Sequence, residues 1–288
     1  GLPALTDMIK FMKREYIPYS RESLGYAHLG PIGVQMYDSL VRRYTNFEVK
    51  DALEAIRRIS RQILSLRRAL ASFAPLPPSP PFATRREVLH HIDIILARMR
   101  QEQEFKHNFP PLKIKWITQK QSADLPIAYY EPPPSNTMYL NPKLLGRLCH
   151  ADLCVLILHE VGGHHCMENR VEQNKFGLRK IIKFVHGNPA DSERCGMRCE
   201  VVAERWGSAC RRAAYEWWLL RNVRALVDAR LHHDGWDTDR CKDLFQALGV
   251  PARIVDVNEE IHRYTSWPGQ ALAYVFGTRP IADCVCGK

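Results

Sequence analysis

Apolar residues recur at the spacing of an amphipathic helix through much of the first hundred residues. Residues 34–46 and 49–73 show this pattern, with Ile56, Ile59 and Ile63 among the apolar positions of the second segment. Apolar side chains three and four residues apart form one face of a helix, and burial of that face drives packing. The pattern therefore predicts two amphipathic helices of a bundle.

A proline-rich run, PLPPSPPF at 75–82, interrupts the helical pattern. Proline ends helices, and several together form a stiff connector that does not by itself divide domains. A further helix is predicted over about 84–103. We expect one catalytic domain over 1–288, with an N-terminal helical part at 1–105 and a part at 106–288 that carries the candidate chemistry.

Two segments in the middle of the chain have extended character. KIKWITQ at 113–119 alternates apolar and polar residues, and 128–142 is broken by a proline turn. The segments predict a small sheet or hairpin, and an exposed edge would accept an extended peptide through main-chain hydrogen bonds. A plain hairpin that covers the core remains the alternative. Downstream, 171–186 predicts an amphipathic helix, and the next helix starts at Asp191 or Ser192.

Composition and charge narrow the class of protein. The chain has 288 residues, 45% of them hydrophobic, and a net charge of +10. Its arginines fall in pairs on the polar faces of predicted helices without an RNA-binding signature, so we predict no nucleic-acid binding. A basic surface favours an acidic substrate or partner. No apolar run reaches the roughly 18 residues of a membrane span, so none is predicted.

Nine cysteines are an unusual number for this length. Most lie in apolar, helical stretches, which is typical of buried thiols, and neither a CxxC pair nor an N-x-S/T sequon occurs. These features favour a reducing, cytoplasmic compartment. Because the chain starts at Gly1, a secreted or processed form stays open.

The run HEVGGHH at 159–165 is the strongest chemical signal in the sequence. A helix with a His-Glu pair and a second His one turn later binds zinc, with the Glu acting on a water molecule. On a regular helix a residue four positions on lies about 40° away, and one five positions on about 140° away. His164 is five and His165 six residues after His159. A local i+5 widening, made easier by Gly162 and Gly163, would bring His164 beside His159, so His164 is favoured over His165.

A zinc site of this kind takes a third protein ligand, commonly a carboxylate from a later helix. Glu193, Glu200 and Glu204 are the candidates, and they share one helix face. Spacing alone leaves all three open.

Several stretches in order resemble the domain-of-unknown-function 885 family of zincin-like proteins: YIPYSRESLG, AYYEPPP, LHEVGGHH, SERCGMRCE, RALVDARLHHDGW and IHRYTSWPGQALAY. The family's runs read approximately LHEAxPGHHLQ, EGWALYAE, RLVVDTGLHxxGW and RYxxxPGQALxYKxG. The resemblance covers nearly the whole chain. Since family members are often about twice as long, this chain is similar to their C-terminal, metal-bearing half.

The resemblance implies a zincin-like helical fold and a set of site residues. It places the metal on His159, His164 (alternatively His165) and Glu193, and it makes Glu200 a group that orients a ligand histidine or binds substrate. The residues it places along the cleft are Arg224, Asp228, His232, Arg263, Tyr264, Gln270 and Tyr274. Tyr129 and Tyr130, from AYYEPPP, are further substrate-binding candidates.

The expected chemistry is zinc-dependent hydrolysis of a peptide or small amide, with Glu160 activating water. Tyr264, Tyr274 or His232 would stabilise the developing oxyanion, and Arg224 or Arg263 would hold a substrate carboxylate. Two alternatives remain: a non-hydrolytic, iron-dependent enzyme that acts on a small molecule, since Fe²⁺ takes the same ligands, or an inactive binding protein.

The chain departs from the family's pattern at several positions. One residue fewer separates His159–Glu160 from the histidine pair, Gly replaces the usual Pro, and Val275 stands where the family has Lys. Arg194 and Cys195 replace Gly and Trp of EGWALYAE. A shifted metal site, a different reaction or lost activity are all compatible with these changes.

Overall fold

Helices form most of the part of the chain that the structure describes, and one small sheet accompanies them there. The computed structural model describes residues 2–20, 23–105, 111–122, 125–166 and 189–276. Within these ranges the protein is mainly helical with one three-stranded sheet, which confirms the predicted class at that level. None of the described helices has the length and apolar character needed to cross a bilayer.

The N-terminal part contains the three helices that the hydrophobic pattern predicts, together with one at the start of the chain. They are α1 (Leu2–Phe11), α2 (Gly30–Tyr44), α3 (Ala52–Ser72) and α4 (Arg85–Met99). Side chains cap two of them: Asp51 accepts a hydrogen bond from the Glu54 amide at 2.8 Å, and Thr84 and Glu87 form a reciprocal capping box. The caps satisfy amides at the start of α3 and α4 and fix where these helices begin.

The sheet consists of β1 (Lys113–Trp116), β2 (Ala128–Glu131) and β3 (Thr137–Leu140). Strand β3 lies in the middle, parallel to β1 and antiparallel to β2, with Tyr129 opposite Tyr139. Among the described strands, β2 therefore lies at one edge of the sheet, and it packs against the helix that carries the His-Glu pair.

The second part is built around one long helix, α7. Its elements are α5 (His150–Ile157), a widened helix (Leu158–His165), α6 (Pro189–Glu200), α7 (Ser208–His233), α8 (Thr238–Ala247), α9 (Val257–Ser266) and a 3₁₀ turn (Gln270–Tyr274). Helix α7 packs against α3, α5 and the 3₁₀ turn, and most of its length is buried. The predicted helix at 171–186 lies outside the described residues.

Candidate metal centre

The His-Glu pair lies on a helix that is wider than a regular α-helix. Residues Leu158–His165 form π-helical turns that continue directly from α5. Their two glycines allow close approach to α6: a Cβ on Gly163 would lie 2.4 Å from the Cα of Gly196. Gly196 in turn lies against the His159 ring, where a Cβ would come within 2.3 Å of it. The i+5 widening that the spacing requires is thus present, and glycine at both contacts lets the helices meet.

Three potential ligands converge as a result: His159, His164 and Glu193, called here the ligand cluster. The two Nε2 atoms are 3.1 Å apart, and Glu193 Oε2 lies 3.3 Å from Nε2 of His159 and 3.6 Å from Nε2 of His164. A tetrahedral zinc ion with metal–ligand distances near 2.0–2.1 Å holds its ligand atoms about 3.3 Å apart. The donor set and its spacing therefore fit a zinc ion.

The neighbouring histidine, His165, occupies a different environment. It is fully buried, and its ring packs edge-on against Tyr130 at 5.2 Å between centroids. The geometry therefore brings His164, and not His165, to His159.

Each histidine of the ligand cluster is oriented through its other nitrogen. His159 Nδ1 lies 2.6 Å from a carboxylate oxygen of Glu200, which is itself fully buried. Glu200 also accepts hydrogen bonds from Arg221 and from Trp218, each at 2.9 Å. With Nδ1 directed at Glu200, Nε2 is the nitrogen that faces the cluster, as in carboxylate–histidine–metal arrangements.

Ser192 performs the corresponding task for His164. Its Oγ lies 2.8 Å from His164 Nδ1. Because Ser192 and Glu193 are adjacent near the start of α6, this helix supplies both a candidate ligand and a group that orients another candidate ligand.

The charges of the cluster depend on one another. Burial and Arg221 act to lower the pKa of His159, but its hydrogen bonds to Glu193 and Glu200 outweigh them and raise it to about 9. Burial alone would raise the pKa of Glu193, yet the hydrogen bonds to both histidines bring it well below the ordinary value. Metal binding at His159 would therefore release a proton, as it does wherever a metal replaces a proton.

Glu160 lies beside the ligand cluster without belonging to it. It is buried and lines the same cavity as His159, His164 and Glu193. Burial raises its pKa, against the opposing influence of the two histidines. A carboxylate with a raised pKa is suited to accept and return a proton near neutral pH.

The cavity at this site has a volume of about 320 Å³. Of the predicted substrate-binding residues, those along its wall are Tyr129, Tyr130, Arg224, Arg263 and Tyr274. The Tyr274 ring stacks on that of His159 at 6.1 Å, and burial, followed by the charge of Glu193, raises its pKa. Its hydroxyl therefore stays protonated and can donate a hydrogen bond.

Within the part of the chain that the structure describes, Gln270 and Glu200 do not line the cavity but form hydrogen bonds to residues that do. The Gln270 amide nitrogen lies 3.5 Å from Glu193, and its oxygen accepts a hydrogen bond from Arg263 at 3.2 Å. Gln270 thus links Arg263 to Glu193. Of the two roles predicted for Glu200, its contact with His159 favours orientation.

The prediction that His232 lines the cleft is not supported by its position. Its Nδ1 accepts a hydrogen bond from the Tyr26 amide at 3.3 Å, and its Nε2 lies 3.0 Å from the Tyr264 carbonyl oxygen. Both ring nitrogens are engaged, and the ring stacks on Tyr37. His232 therefore joins elements of the core.

Tyr264 also differs from its predicted role. It is almost fully buried and does not line the cavity as the described residues define it. Burial raises its pKa well above the ordinary value. The charge of Glu260 raises this pKa further, and the charge of Arg224 lowers it. Of the three predicted oxyanion donors, Tyr274 is the one beside the ligand cluster.

Sequence reasoning missed Arg221, Ser192 and Gly196. Arg221 is one turn before Arg224 on α7, so helical spacing could have placed both on the same face. Gly196 stands in a helix interior, where glycine destabilises and so indicates close packing. For Ser192 the sequence predicts only a helix start.

The comparisons with known proteins agree with one another. The family described as "Bacterial protein of unknown function (DUF885)" matches residues 2–284, and no curated protein matches the chain. The chain is similar to the crystal structure of a candidate lipoprotein from Colwellia psychrerythraea, with a TM-score of 0.74 and 20% identity over 96% of this chain and 52% of that one. A candidate lipoprotein of unknown function from Shewanella oneidensis is similar with a TM-score of 0.65 and 16% identity over 98% and 56%. The chain spans about half the length of these two proteins.

Proposed function

Because the chain belongs to the DUF885 family of bacterial proteins of unknown function, and because its ligand cluster fits zinc, we propose that it is a zinc-dependent hydrolase of peptide or amide bonds with a zincin-like active site. The observation that carries the proposal is the cluster itself. Three ligand atoms lie 3.1–3.6 Å apart, and Glu160 lines the same cavity.

His159, His164 and Glu193 would hold the ion. Zinc, when bound, polarises a carbonyl and makes water more acidic. Glu160 takes the proton of the attacking water and returns it to the departing amine, which its raised pKa favours. Tyr274 donates a hydrogen bond to the carbonyl oxygen as negative charge develops there.

The position of β2 beside the cavity is an argument for a peptide substrate. Residues from Pro126 to Tyr130 line one wall of the cavity, and among the described strands β2 pairs with β3 on one side only. An extended peptide can add to such an edge through main-chain hydrogen bonds. Tyr129, whose ring stacks on Tyr139, and Tyr130 would contact its side chains.

Arginines of the cavity wall support recognition of a negatively charged group. Arg224 forms an ion pair with Glu260 at 2.7 Å, but its Nη2 is buried without a hydrogen-bond partner among the described residues. A substrate oxygen would satisfy this donor, since an unmade buried hydrogen bond is unfavourable. Arg263 lines the same cavity. A carboxylate on the substrate, whether a side chain or a chain end, would bind here.

The decisive variant is Glu160→Gln, which keeps the shape of the side chain but cannot accept the proton. We expect it to retain zinc and to lose cleavage of a mixed peptide library, measured by mass spectrometry, by at least about 100-fold. Glu15→Gln, on the exposed N-terminal segment, is the matched control and should leave cleavage unchanged. Cleavage by Glu160→Gln at the wild-type rate would contradict the proposed hydrolysis.

The ligand set itself supports one other reaction class. Two histidines and one carboxylate also form the facial triad of non-haem iron oxygenases. Stoichiometric iron after anaerobic purification, together with oxygen consumption, would favour this second candidate. Stoichiometric zinc without oxygen consumption would favour hydrolysis.

A further inference from the structure

A second group of side chains that could hold a metal ion lies on the elements that support the candidate metal centre. It consists of His150, Cys154 and Cys210, called here the thiol cluster, whose ligand atoms all lie within 4.8 Å of one another. We propose that the thiol cluster is a second zinc site, with a structural role.

The geometry of the thiol cluster fits a tetrahedral ion. His150 Nε2 lies 3.5 Å from the sulfur of Cys154. A tetrahedral zinc ion with Zn–N near 2.05 Å and Zn–S near 2.3 Å separates such a pair by about 3.6 Å. His150 and Cys154 are one turn apart on α5, so they share a helix face, and Cys210 approaches from the first turn of α7.

The side-chain chemistry fits a thiolate-binding metal. Cys154 and Cys210 are both buried. A hydrogen bond between them lowers the pKa of Cys210, burial raises it, and Arg98 lowers it further. The same hydrogen bond and burial raise the pKa of Cys154. The two sulfurs are thus close enough to hydrogen-bond to each other, and zinc displaces thiol protons on binding because its ligand is the thiolate.

Surrounding groups favour thiolates and leave access to the ion. Arg98 is fixed by stacking on Trp206 at 4.7 Å, and its positive charge favours a site that carries two negative sulfurs. His150 is only partly buried, which leaves a route for the ion. The His91 ring packs on the His150 ring at 5.0 Å, and water would complete the coordination.

The position of the thiol cluster explains what the ion would do. Helix α5 continues into the widened helix that carries His159, and α7 carries Arg221, which holds Glu200. An ion bound to both helices would fix α5 against α7. Zinc here would therefore stabilise the scaffold of the ligand cluster through its binding free energy, without taking part in the chemistry of that cluster.

Cobalt substitution tests the thiol cluster independently of activity. We expect reduced wild-type protein to bind two Co²⁺ ions, one of which shows thiolate-to-cobalt charge-transfer absorption. Cys210→Ser should remove that absorption and one ion, whereas Cys241→Ser, which replaces a buried thiol of α8, should preserve both. His159→Asn should lose the other ion and keep the charge-transfer absorption.

These outcomes separate the two sites. Absence of metal from the ligand cluster, with thiolate absorption intact, would overturn the proposed function alone. If Cys210→Ser does not fold, X-ray absorption spectroscopy at the zinc edge on the wild-type protein tests the same site. A sulfur shell near 2.3 Å is expected, while a shell of nitrogen and oxygen only, or a Cys154–Cys210 disulfide in protein kept under reductant, would overturn the thiol cluster as a metal site.

Discussion

At the residue scale, the adjacent histidines His164 and His165 have different environments. Both lie in the widened helix, which directs His164, and not His165, toward His159. His164 faces His159 at 3.1 Å between ring nitrogens, while His165 is buried against Tyr130. Removal of each should therefore have a different consequence.

His164→Ala should lose zinc, because one of three ligands is gone, and retain most of its stability. His165→Ala should keep zinc and lose roughly 2–4 kcal/mol of unfolding free energy, because it leaves a cavity. Metal analysis and chemical denaturation of the two variants provide the measurements, with each variant the control for the other. Zinc loss in His165→Ala alone would reverse the assignment.

Glu200 contributes through its contact with His159. Glu200→Gln keeps the hydrogen-bond acceptor but removes the charge that makes His159 a stronger ligand and that pairs with Arg221. Zinc affinity should fall about 10–100-fold, as for other groups that orient a ligand histidine. Competition with a chelator measures it on folded protein. Affinity equal to that of the wild type would mean that Glu200 only stabilises the core.

The sequence predicts these residues unevenly. His159, Glu160 and His164 follow from one local motif, while choosing Glu193 over Glu200 and Glu204 required a resemblance. Whether Arg221 and His232 reach the cavity depends on which face of α7 is turned toward it. Helical spacing alone does not determine that face. His232 accordingly lies in the core.

At the element scale, the widened helix decides whether a cluster can form. Gly162 and Gly163 both lie within it, but they have different neighbours. A Cβ on Gly163 would meet the backbone of Gly196 at 2.4 Å, whereas one on Gly162 would meet the Phe105 ring at 3.0 Å and the Cys199 Cβ at 3.1 Å.

Gly163→Ala should therefore push α6 away, separate Glu193 from the histidines and abolish stoichiometric zinc binding. Gly162→Ala requires only a small shift of side chains and should retain zinc. The two variants gain the same helix propensity, about 1 kcal/mol, so isothermal titration with zinc isolates the effect of contact. Equal affinities in both would argue against the close packing of the widened helix on α6.

Prediction at this scale was more successful than at the residue scale. The i+5 spacing and the two glycines predicted a distorted helix, and the structure confirms it. The apolar pattern predicts α2, α3 and α4, because a helix that buries one face has apolar residues at regular spacing in the sequence. The spacing of apolar residues does not specify which strands pair, so the sequence does not predict the parallel β1–β3 pair.

At the scale of the whole molecule, a buried carboxylate joins distant parts of the chain. Asp228 of α7 accepts hydrogen bonds from the Tyr37 hydroxyl of α2 at 2.6 Å and from the Gly269 amide at 2.9 Å. Burial raises its pKa to about 7, although these hydrogen bonds and Arg224 act in the opposite direction.

This raised pKa predicts how stability depends on pH. The folded protein holds the Asp228 proton that the unfolded chain has released, so the contribution is fully present below the unfolded value of 3.8 and is lost as pH rises through about 7. Relative to Asp228→Asn, the unfolding free energy of the wild type should fall with pH by at most about 1.4 kcal/mol per unit. Denaturation at several pH values measures the difference. A difference that grows with pH would contradict this reading.

The central claim, that His159, His164 and Glu193 bind a catalytic zinc ion, is tested most directly by anomalous diffraction from zinc-loaded crystals. A peak about 2.0–2.2 Å from both Nε2 atoms and from the Glu193 carboxylate is the predicted result. Zinc-loaded crystals with no peak at the ligand cluster, or with the ion bound by His165 in place of His164, would contradict it.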